Sequence, residues 1–211
     1  MKRDAAGRRI VVMLMGIAIM GFGVSLFKLS FMGNDPHTAM VIAIGDRVGV
    51  DFSVILLFIN CFWFLLEWKF GKEMIGIGTF VNWFFVGTIA SVCEKAILSV
   101  WNIPSAIGAR LFLMAAGVLT LSLACAMYQS ADVGVAPYDA LSIMISHRSG
   151  RSYFGCRIFT DSLCVVVTLA AGGLLGTGTL ICAVGLGPFI AFFEKNVVNR
   201  MIIPEKNYRK L

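Results

Sequence analysis

From Ile10 to Phe31 the chain is apolar apart from Ser25, Lys28 and Ser30. A helix needs about 20 such residues to cross the hydrocarbon of a bilayer. The apolar residues are consecutive, where a membrane β-strand would alternate them with polar ones, so a helical span is the expected form. Further stretches of the same kind follow, and charges make up only 14% of the 211 residues, with a mean hydropathy of +0.85. A soluble domain carries roughly a quarter of its residues as Asp, Glu, Lys and Arg. The sequence therefore predicts an all-α polytopic membrane protein, with the lipid bilayer as its first partner.

The basic start "MKRDAAGRR" followed by an apolar stretch has the outline of a signal peptide. The apolar stretch is too long for one and no small-residue cleavage site follows, so it is expected to stay as a first span. The net charge of +6 is concentrated at the two ends, "MKRDAAGRR" and "IIPEKNYRKL". Basic residues mark cytoplasmic segments of membrane proteins, so both termini are expected in the cytoplasm. Neither end interleaves aromatic residues with its charges, and no nucleic-acid partner is expected. The six cysteines lie in or beside apolar segments without a C-x-x-C pair, and His37 and His147 are the only histidines. Buried reduced packing residues, no metal and no cofactor are the expectation. No Ser/His/Asp, Cys/His or paired-carboxylate arrangement points to an enzyme.

Full spans are predicted at Arg9–Phe31, Phe52–Phe70, Met74–Leu98, Arg110–Gln129, Tyr153–Ala171 and Leu174–Val198, with short apolar pieces at His37–Ile44 and Tyr138–Ser146. The order repeats. At an offset of 101 residues Arg9 meets Arg110, Gly16 meets Gly117, Gly33 meets Gly134, Pro36 meets Pro137 and Gly49 meets Gly150. Asn60 then falls opposite Asp161. After one residue is lost, "GIGTFVNWFFVGTIASVCEK" at 76–95 aligns with "GTGTLICAVGLGPFIAFFEK" at 176–195. Such register predicts an internal duplication, with residues 1–105 as the first membrane repeat and 106–211 as the second. The two halves together give six full spans and two half-length helices.

The repeated G-x-G-T invites comparison with a nucleotide loop, but each copy opens a membrane helix and lacks the lysine and preceding strand of such loops. Gly76, Gly78, Gly87, Gly176, Gly178 and Gly187 are read as helix-packing residues, because glycine lets helix backbones approach closely in lipid. Thr79 and Thr179 sit beside them as candidate polar contacts. Glu94–Lys95 and Glu194–Lys195 are expected to reach the interface from the span ends.

Pro36 and Pro137 each open a short helix at the position where a missing N–H costs nothing. About three turns cover roughly half of the hydrocarbon core. Such a piece either dips in and returns, lies in the interface, or crosses where the bilayer is thin. If the pieces do not cross, each half has three spans and the halves are inverted; if they cross, the halves are parallel. Half-length helices at matching positions of two repeats are the best sequence pointer to a transporter site.

Asp161 stands mid-span, where a carboxylate costs roughly 2.5–3.5 kcal/mol and must face the bundle interior. Arg157, four residues earlier on the same face, is its natural partner. Asn60 holds the equivalent place in the first half and cannot titrate. Asp35, His37, Tyr138 and Asp139 flank the openings of the short helices. There the carboxylates complement the helix dipoles, and free N–H groups would favour an anionic group of a solute.

Arg–span–Gly-x-x-Pro–short helix, then a span, then Gly176-Thr177-Gly178-Thr179 with Gly187-Pro188, resembles the YczE/YyaS/YitT group of bacterial inner-membrane proteins. Asp35 and Ala136 stand where that pattern has a second glycine before the proline, and Thr88 replaces the proline after Gly87. The resemblance covers nearly the whole chain and implies a multi-pass protein of the bacterial cytoplasmic membrane, a group in which transport is suspected.

The leading expectation is transport of a small, unknown solute through a site between the halves, built from Asp161, Asn60, Arg157, Asp35, Asp139, Thr79 and Thr179. Two alternatives stay open. One is a substrate-binding membrane subunit that works with an energising membrane partner, and the other is a non-transporting accessory protein. A homo-oligomer fits any of the three.

Overall fold

The computed structural model describes residues 2–101 and 106–202, all in helices and the turns that join them. The basic segment from Ile203 onward and the predicted boundary between repeats at residue 105 lie outside the described residues. In chain order the helices are α1 (Lys2–Ser30), α2 (Pro36–Val48), α3 (Phe52–Phe70), α4 (Ile77–Val100), α5 (Ile107–Ser130), α6 (Pro137–Ser149), α7 (Tyr153–Ala170), α8 (Thr177–Phe193) and α9 (Asn199–Ile202). A 3₁₀ turn, Lys72–Met74, precedes α4, and a π-helical turn, Glu194–Val198, links α8 to α9. Among the described residues, five helical segments are long and apolar enough to cross a membrane: those of α1, α4, α5, α7, and α8 with its extension to Met201. Helix α3, 19 residues long, carries only Glu67 and Lys69 as charges.

The short helices run about a turn further than the apolar pattern implies. They take in Asp46–Arg47 and His147–Arg148 before Gly49 (φ 69°) and Gly150 (φ 65°) end them in the left-handed conformation. Basic residues in those last turns complement the negative ends of the helix dipoles, which is why charge does not stop the helices earlier.

Helix α1 lies along α5, and the two run antiparallel. Gly16 is against Met127 and Tyr128, Gly23 is against Leu121, and Gly117 is against Phe27, so rising numbers on one helix meet falling numbers on the other. Arg9 pairs with Asp132 at 2.9 Å at one end, here termed the near face, and Arg110 lies over the Phe31 ring at the far face. Helix α4 runs parallel to α1: Asn82 contacts Met20, Ile89 and Ala90 meet Gly21, and Glu94 pairs with Lys28 at 3.0 Å. The main hydrophobic core lies among α1, α5 and α8, around Met13, Ile17, Phe27, Tyr128, Leu186 and Ile190. The large apolar side chains of α3 and α4, including Phe58, Leu65, Phe84 and Phe85, point outward.

Two close contacts bind the termini of α4 and α8 to the loops before the short helices. The Gly78 N–H donates to the Val133 carbonyl at 2.8 Å, and the Gly178 N–H donates to the Met32 carbonyl at 2.8 Å. Each loop then turns at a glycine of nearly the same unusual backbone, Gly33 at φ 112° and Gly134 at φ 116°. Phe31 and Asp132, which precede these turns, also match at φ 53° and 54°. A Cβ on Gly176 would lie 2.1 Å from the Met32 carbonyl oxygen, and one on Gly76 would lie 2.3 Å from that of Val133. Gly187 is against the Phe154 ring. Gly87 is a correction to the sequence reading: it is exposed with open space around it, so no helix approaches there.

From these loops the chain turns inward. Phe31 and Asp132 stand at opposite faces, roughly 33 Å apart along α1 at about 1.5 Å per residue. Yet six residues later the His37 and Tyr138 rings stack on each other, 4.4 Å between centroids. Extended chain spans at most about 3.3–3.6 Å per residue, so both loops must reach inward for the rings to meet. Each short helix then returns to the face its loop came from. Ala43 of α2 meets Gly173, in the turn just before Gly176, and Arg148 of α6 meets the end of α3 at the Phe70 carbonyl, 3.1 Å. Each short helix thus begins in the bundle interior and runs back outward.

Gly176→Ala is expected to lower thermal stability in detergent by about 1–3 kcal/mol, the usual cost of overpacking. Gly87→Ala should leave it unchanged or raise it by up to about 1 kcal/mol through helix propensity. Equal melting temperatures for the two variants would contradict the close approach at Gly176.

Candidate functional site

The N-terminal ends of α2 and α6 meet beside a cluster of buried ionised and phenolic side chains. Asp139 sits in the first turn of α6, where its negative charge faces the positive end of the helix. It accepts hydrogen bonds from the Tyr128 hydroxyl of α5 and from Arg157 Nη1 of α7. Arg157 also donates through Nε to Asp161 Oδ2 at 3.2 Å, one turn along α7. The Tyr138 hydroxyl donates to the other Asp161 oxygen. Next to this network the Ser142 and Thr160 hydroxyls lie 2.7 Å apart, and Thr160 donates to the Arg157 carbonyl. All four carboxylate oxygens thus have a donor. Tyr128 and Asp161 are completely buried, and Arg157, Asp139 and Tyr138 nearly so.

Charge is less well balanced than hydrogen bonding. One guanidinium faces two carboxylates, which leaves a formal excess of one negative charge. The Arg157 guanidinium also lies over the Tyr138 ring at 5.1 Å while the His37 ring stacks on that tyrosine. The network ties α5, α6 and α7 together and presents Tyr138 to the helices of the first half.

The first half answers with groups that have no partner. His37 Nε2, Trp63 Nε1 and both Glu67 carboxylate oxygens are buried without a hydrogen bond. Trp63, on α3, lies 6.0 Å from Tyr138. Below the cluster, on the near face, a pocket of about 210 Å³ opens between α5, α6, α7 and α8. Gln129, Ser146, His147, Tyr153 and Glu194 are among its lining residues. Tyr153 is one helical turn from Arg157, and Gln129 adjoins Tyr128. The Gln129 amide and the Tyr153 hydroxyl are close neighbours, and among the described residues neither makes a well-aligned hydrogen bond, so the pocket leads from the near face towards the ion pairs.

The residues singled out from sequence divide into three groups. Asp161, Arg157 and Asp139 come together, with Tyr138 and, stacked on it, His37. Asp35 caps α2, its Oδ2 accepting from the Thr38 N–H at 3.0 Å, and Asn60 is half-buried on α3 outside the network. Thr79 and Thr179 belong to the openings of α4 and α8: Thr79 bonds the Gly76 N–H at 3.2 Å, and the Thr179 hydroxyl is buried without a partner near Gly33. Sequence reasoning missed Tyr128, Trp63 and Glu67. Glu67 carried a usable signal, as a carboxylate inside the apolar span Phe52–Phe70; its nearness to the span's charged end made it resemble an interfacial residue. Among the described residues, no three His, Cys, Asp or Glu side chains gather as a metal site.

The chain matches a family of unknown function, DUF6198, over residues 7–195 and belongs to that family. It is 26% identical to an uncharacterized protein of Haemophilus influenzae over 203 residues, 96% of this chain and 89% of the relative. It is also 26% identical to the uncharacterized protein YyaS of Bacillus subtilis over 205 residues, 92% of this chain and 95% of that one. The uncharacterized membrane protein YczE of the same organism matches at 21% over 178 residues, 84% of this chain and 81% of the relative. No solved structure matches. The relative named as a membrane protein and the apolar helices together identify a multi-pass membrane protein of the YczE/YyaS type.

Arg157→Met should strand two buried carboxylates and destabilise the protein by about 3–5 kcal/mol, as removal of one member of a buried ion pair does. Adding Asp139→Asn and Asp161→Asn to that variant should restore part of the loss in thermal unfolding. A triple variant less stable than the single one would show that the carboxylates do not depend on Arg157.

Proposed function

We propose that this protein is a small-solute transporter of the bacterial cytoplasmic membrane, with its site where α2 and α6 meet between two duplicated halves. The observation that carries this reading is a pair of half-length helices in matching positions whose N-terminal ends face each other beside a buried, charge-unbalanced cluster. Discontinuous helices at the interface of repeats build the binding sites of many secondary transporters. Intramembrane ionisable groups facing the bundle interior are by default functional.

In this proposal residues 1–105 and 106–211 are homologous halves with three full spans each, α1, α3 and α4 against α5, α7 and α8. Their matched glycine turns and reciprocal Gly78–Val133 and Gly178–Met32 bonds support the duplication. Antiparallel α1 and α5 support inversion, because a two-fold axis lying in the membrane plane reverses equivalent helices. The basic N-terminal end of α1 and the end of α8 share the near face, which is assigned to the cytoplasm. The near-face pocket is then the cytoplasmic approach to the site. Its dimensions suit a small polar solute, which the Gln129 and Tyr153 donors would meet first.

Single cysteines at Asp46 and His147, in a background lacking the native cysteines, should label from opposite sides of the membrane; labelling from one side would contradict inverted halves. In sealed proteoliposomes, flux of at least one class of small polar solute is expected, reduced tenfold or more by Asp161→Asn or Asp139→Asn. Flux in no class would count against transport. It would favour the binding-subunit or accessory alternatives, of which copurification with an ATPase would single out the first.

A further inference from the structure

Glu67 is completely buried, and among the described residues neither carboxylate oxygen has a hydrogen-bond donor. Its place follows from helix register. Along α3, Trp63 lies beside Tyr138, Gly71 touches Met144, and the Phe70 carbonyl receives Arg148. Glu67, one turn below Trp63 and one turn above Gly71, therefore faces the stretch of α6 between Tyr138 and Met144, next to Asp139. The equivalent position in the second half, at the offset of 101, is Thr168, whose hydroxyl donates to the Cys164 carbonyl at 2.8 Å. The first half thus carries a carboxyl group where the second carries a self-satisfied hydroxyl.

Among the described residues, none of the charged groups on the elements packed against α3 is paired with Glu67. On α6, Asp139 is itself an acid held by Arg157 and Tyr128, Arg148 bonds the Phe70 carbonyl and covers its ring, and His147 lines the near-face pocket. On α2, His37 stacks on Tyr138, and Asp46 and Arg47 stand exposed at the opposite end of the helix. In the 3₁₀ turn below, Lys72 lies over the Trp68 ring and Glu73 is exposed. On α4, the residues that meet α3 are Phe80 and Trp83, against Phe64. Ionised, Glu67 would be a second unpaired negative charge beside a cluster that already carries one in excess. Burying an isolated charge costs far more than burying a neutral acid.

We propose that Glu67 is a proton-binding site: its carboxyl group holds a proton while α3 lies against α6 and releases it to water when the two helices part. This rests on the transport reading above, and it makes the proton the coupling ion for solute movement at the Asp139–Arg157–Asp161 cluster. The step breaks and remakes only the carboxyl O–H bond, with water taking up and returning the proton. Asn60, opposite Asp161, cannot titrate. Glu67 puts the titrating group in the first half and leaves Asp161 as a permanent member of the ion network.

The test is infrared spectroscopy of the full-length protein in liposomes at neutral pH. A protonated-carboxyl band that shifts on deuteration should be present in the wild type, lost in Glu67→Gln and kept in Glu67→Asp. Glutamine mimics the neutral acid, so Glu67→Gln should also melt at or above the wild-type temperature. An unchanged band in Glu67→Gln would overturn the proposal. So would stabilisation of the wild type by sodium or potassium ions that Glu67→Gln loses, which would assign the site to a metal cation. The infrared measurement requires no solute, so its failure removes the proton site alone. Absence of flux for every solute class would instead remove the transport reading and leave the proton site standing.

Discussion

A guanidinium and two carboxylates buried in the middle of an apolar bundle must find their hydrogen-bond partners among their neighbours, because a buried charge without one is costly. Much of the polar design of this protein follows from how Arg157 meets that demand. Its fork reaches Asp161 on its own helix and Asp139 on α6, and the remaining oxygens are taken by Tyr138 and Tyr128. Three helices are thereby held at one point. Nothing forces α6 to begin in the bundle interior except what it finds there. Its first turn carries Asp139, and Arg157 supplies the partner that makes the carboxylate tolerable. A short helix that began in lipid would expose unsatisfied N–H groups at several kcal/mol each.

The loops that lead inward depend on a second constraint, close backbone approach. Gly176 and Gly76 allow the openings of α8 and α4 to sit on the carbonyls of Met32 and Val133, satisfying backbone groups that leave helical structure inside the bundle. The two contacts are reciprocal, each half supplying a donor to a loop of the other. A shift of one half relative to the other must therefore move both loops, and with them the starts of both short helices. On the transport reading, solute access at either face is mechanically linked to the other through these two hydrogen bonds.

Much of the architecture was legible in the sequence because membrane constraints are crude and strong. Continuous apolar stretches gave the long helices, and proline followed by an apolar piece gave the short ones. Gly76, Gly78, Gly176 and Gly178 are read as helix-packing residues, and the backbones they meet are those of the loops at Val133 and Gly134 and at Met32 and Gly33. The i, i+4 spacing gave Arg157 with Asp161, and helix opening gave Asp139. Gly87 misled because repetition of a residue does not show what surrounds it; α4 turns that side outward, whereas Gly187 of α8 meets Phe154. Tyr128 was hidden as one aromatic residue in an apolar helix, since its hydroxyl acquires meaning only when α6 brings Asp139 beside it. Glu67 was hidden by its place near the end of α3, where the short length of α6 and its parallel course decide burial. Neither is visible in one segment alone.

The two parts of the chain differ in how their buried polar groups are satisfied. In the second part of the chain Arg157, Asp139, Asp161, Tyr138 and Tyr128 satisfy one another, while Gln129, Tyr153 and Thr179 each keep a buried atom without a hydrogen bond among the described residues. The first half kept His37, Trp63 and Glu67 unpaired, facing that finished network. Packing follows the same division: α7 meets α8 at a glycine, Gly187 on Phe154, while α3 meets α4 through the rings of Phe64, Phe80 and Trp83. Aromatic side chains sliding over one another tolerate displacement better than a backbone locked at a glycine, since close-packed contacts have few alternative arrangements. On the proposed reading, α3 with its unpaired carboxyl is the element that moves against α6. A protonated Glu67 removes the electrostatic objection to resting beside Asp139. On the proposed reading, the charge left when α3 parts from α6 opposes its return until a proton is regained, so that one proton biases the position of the helix.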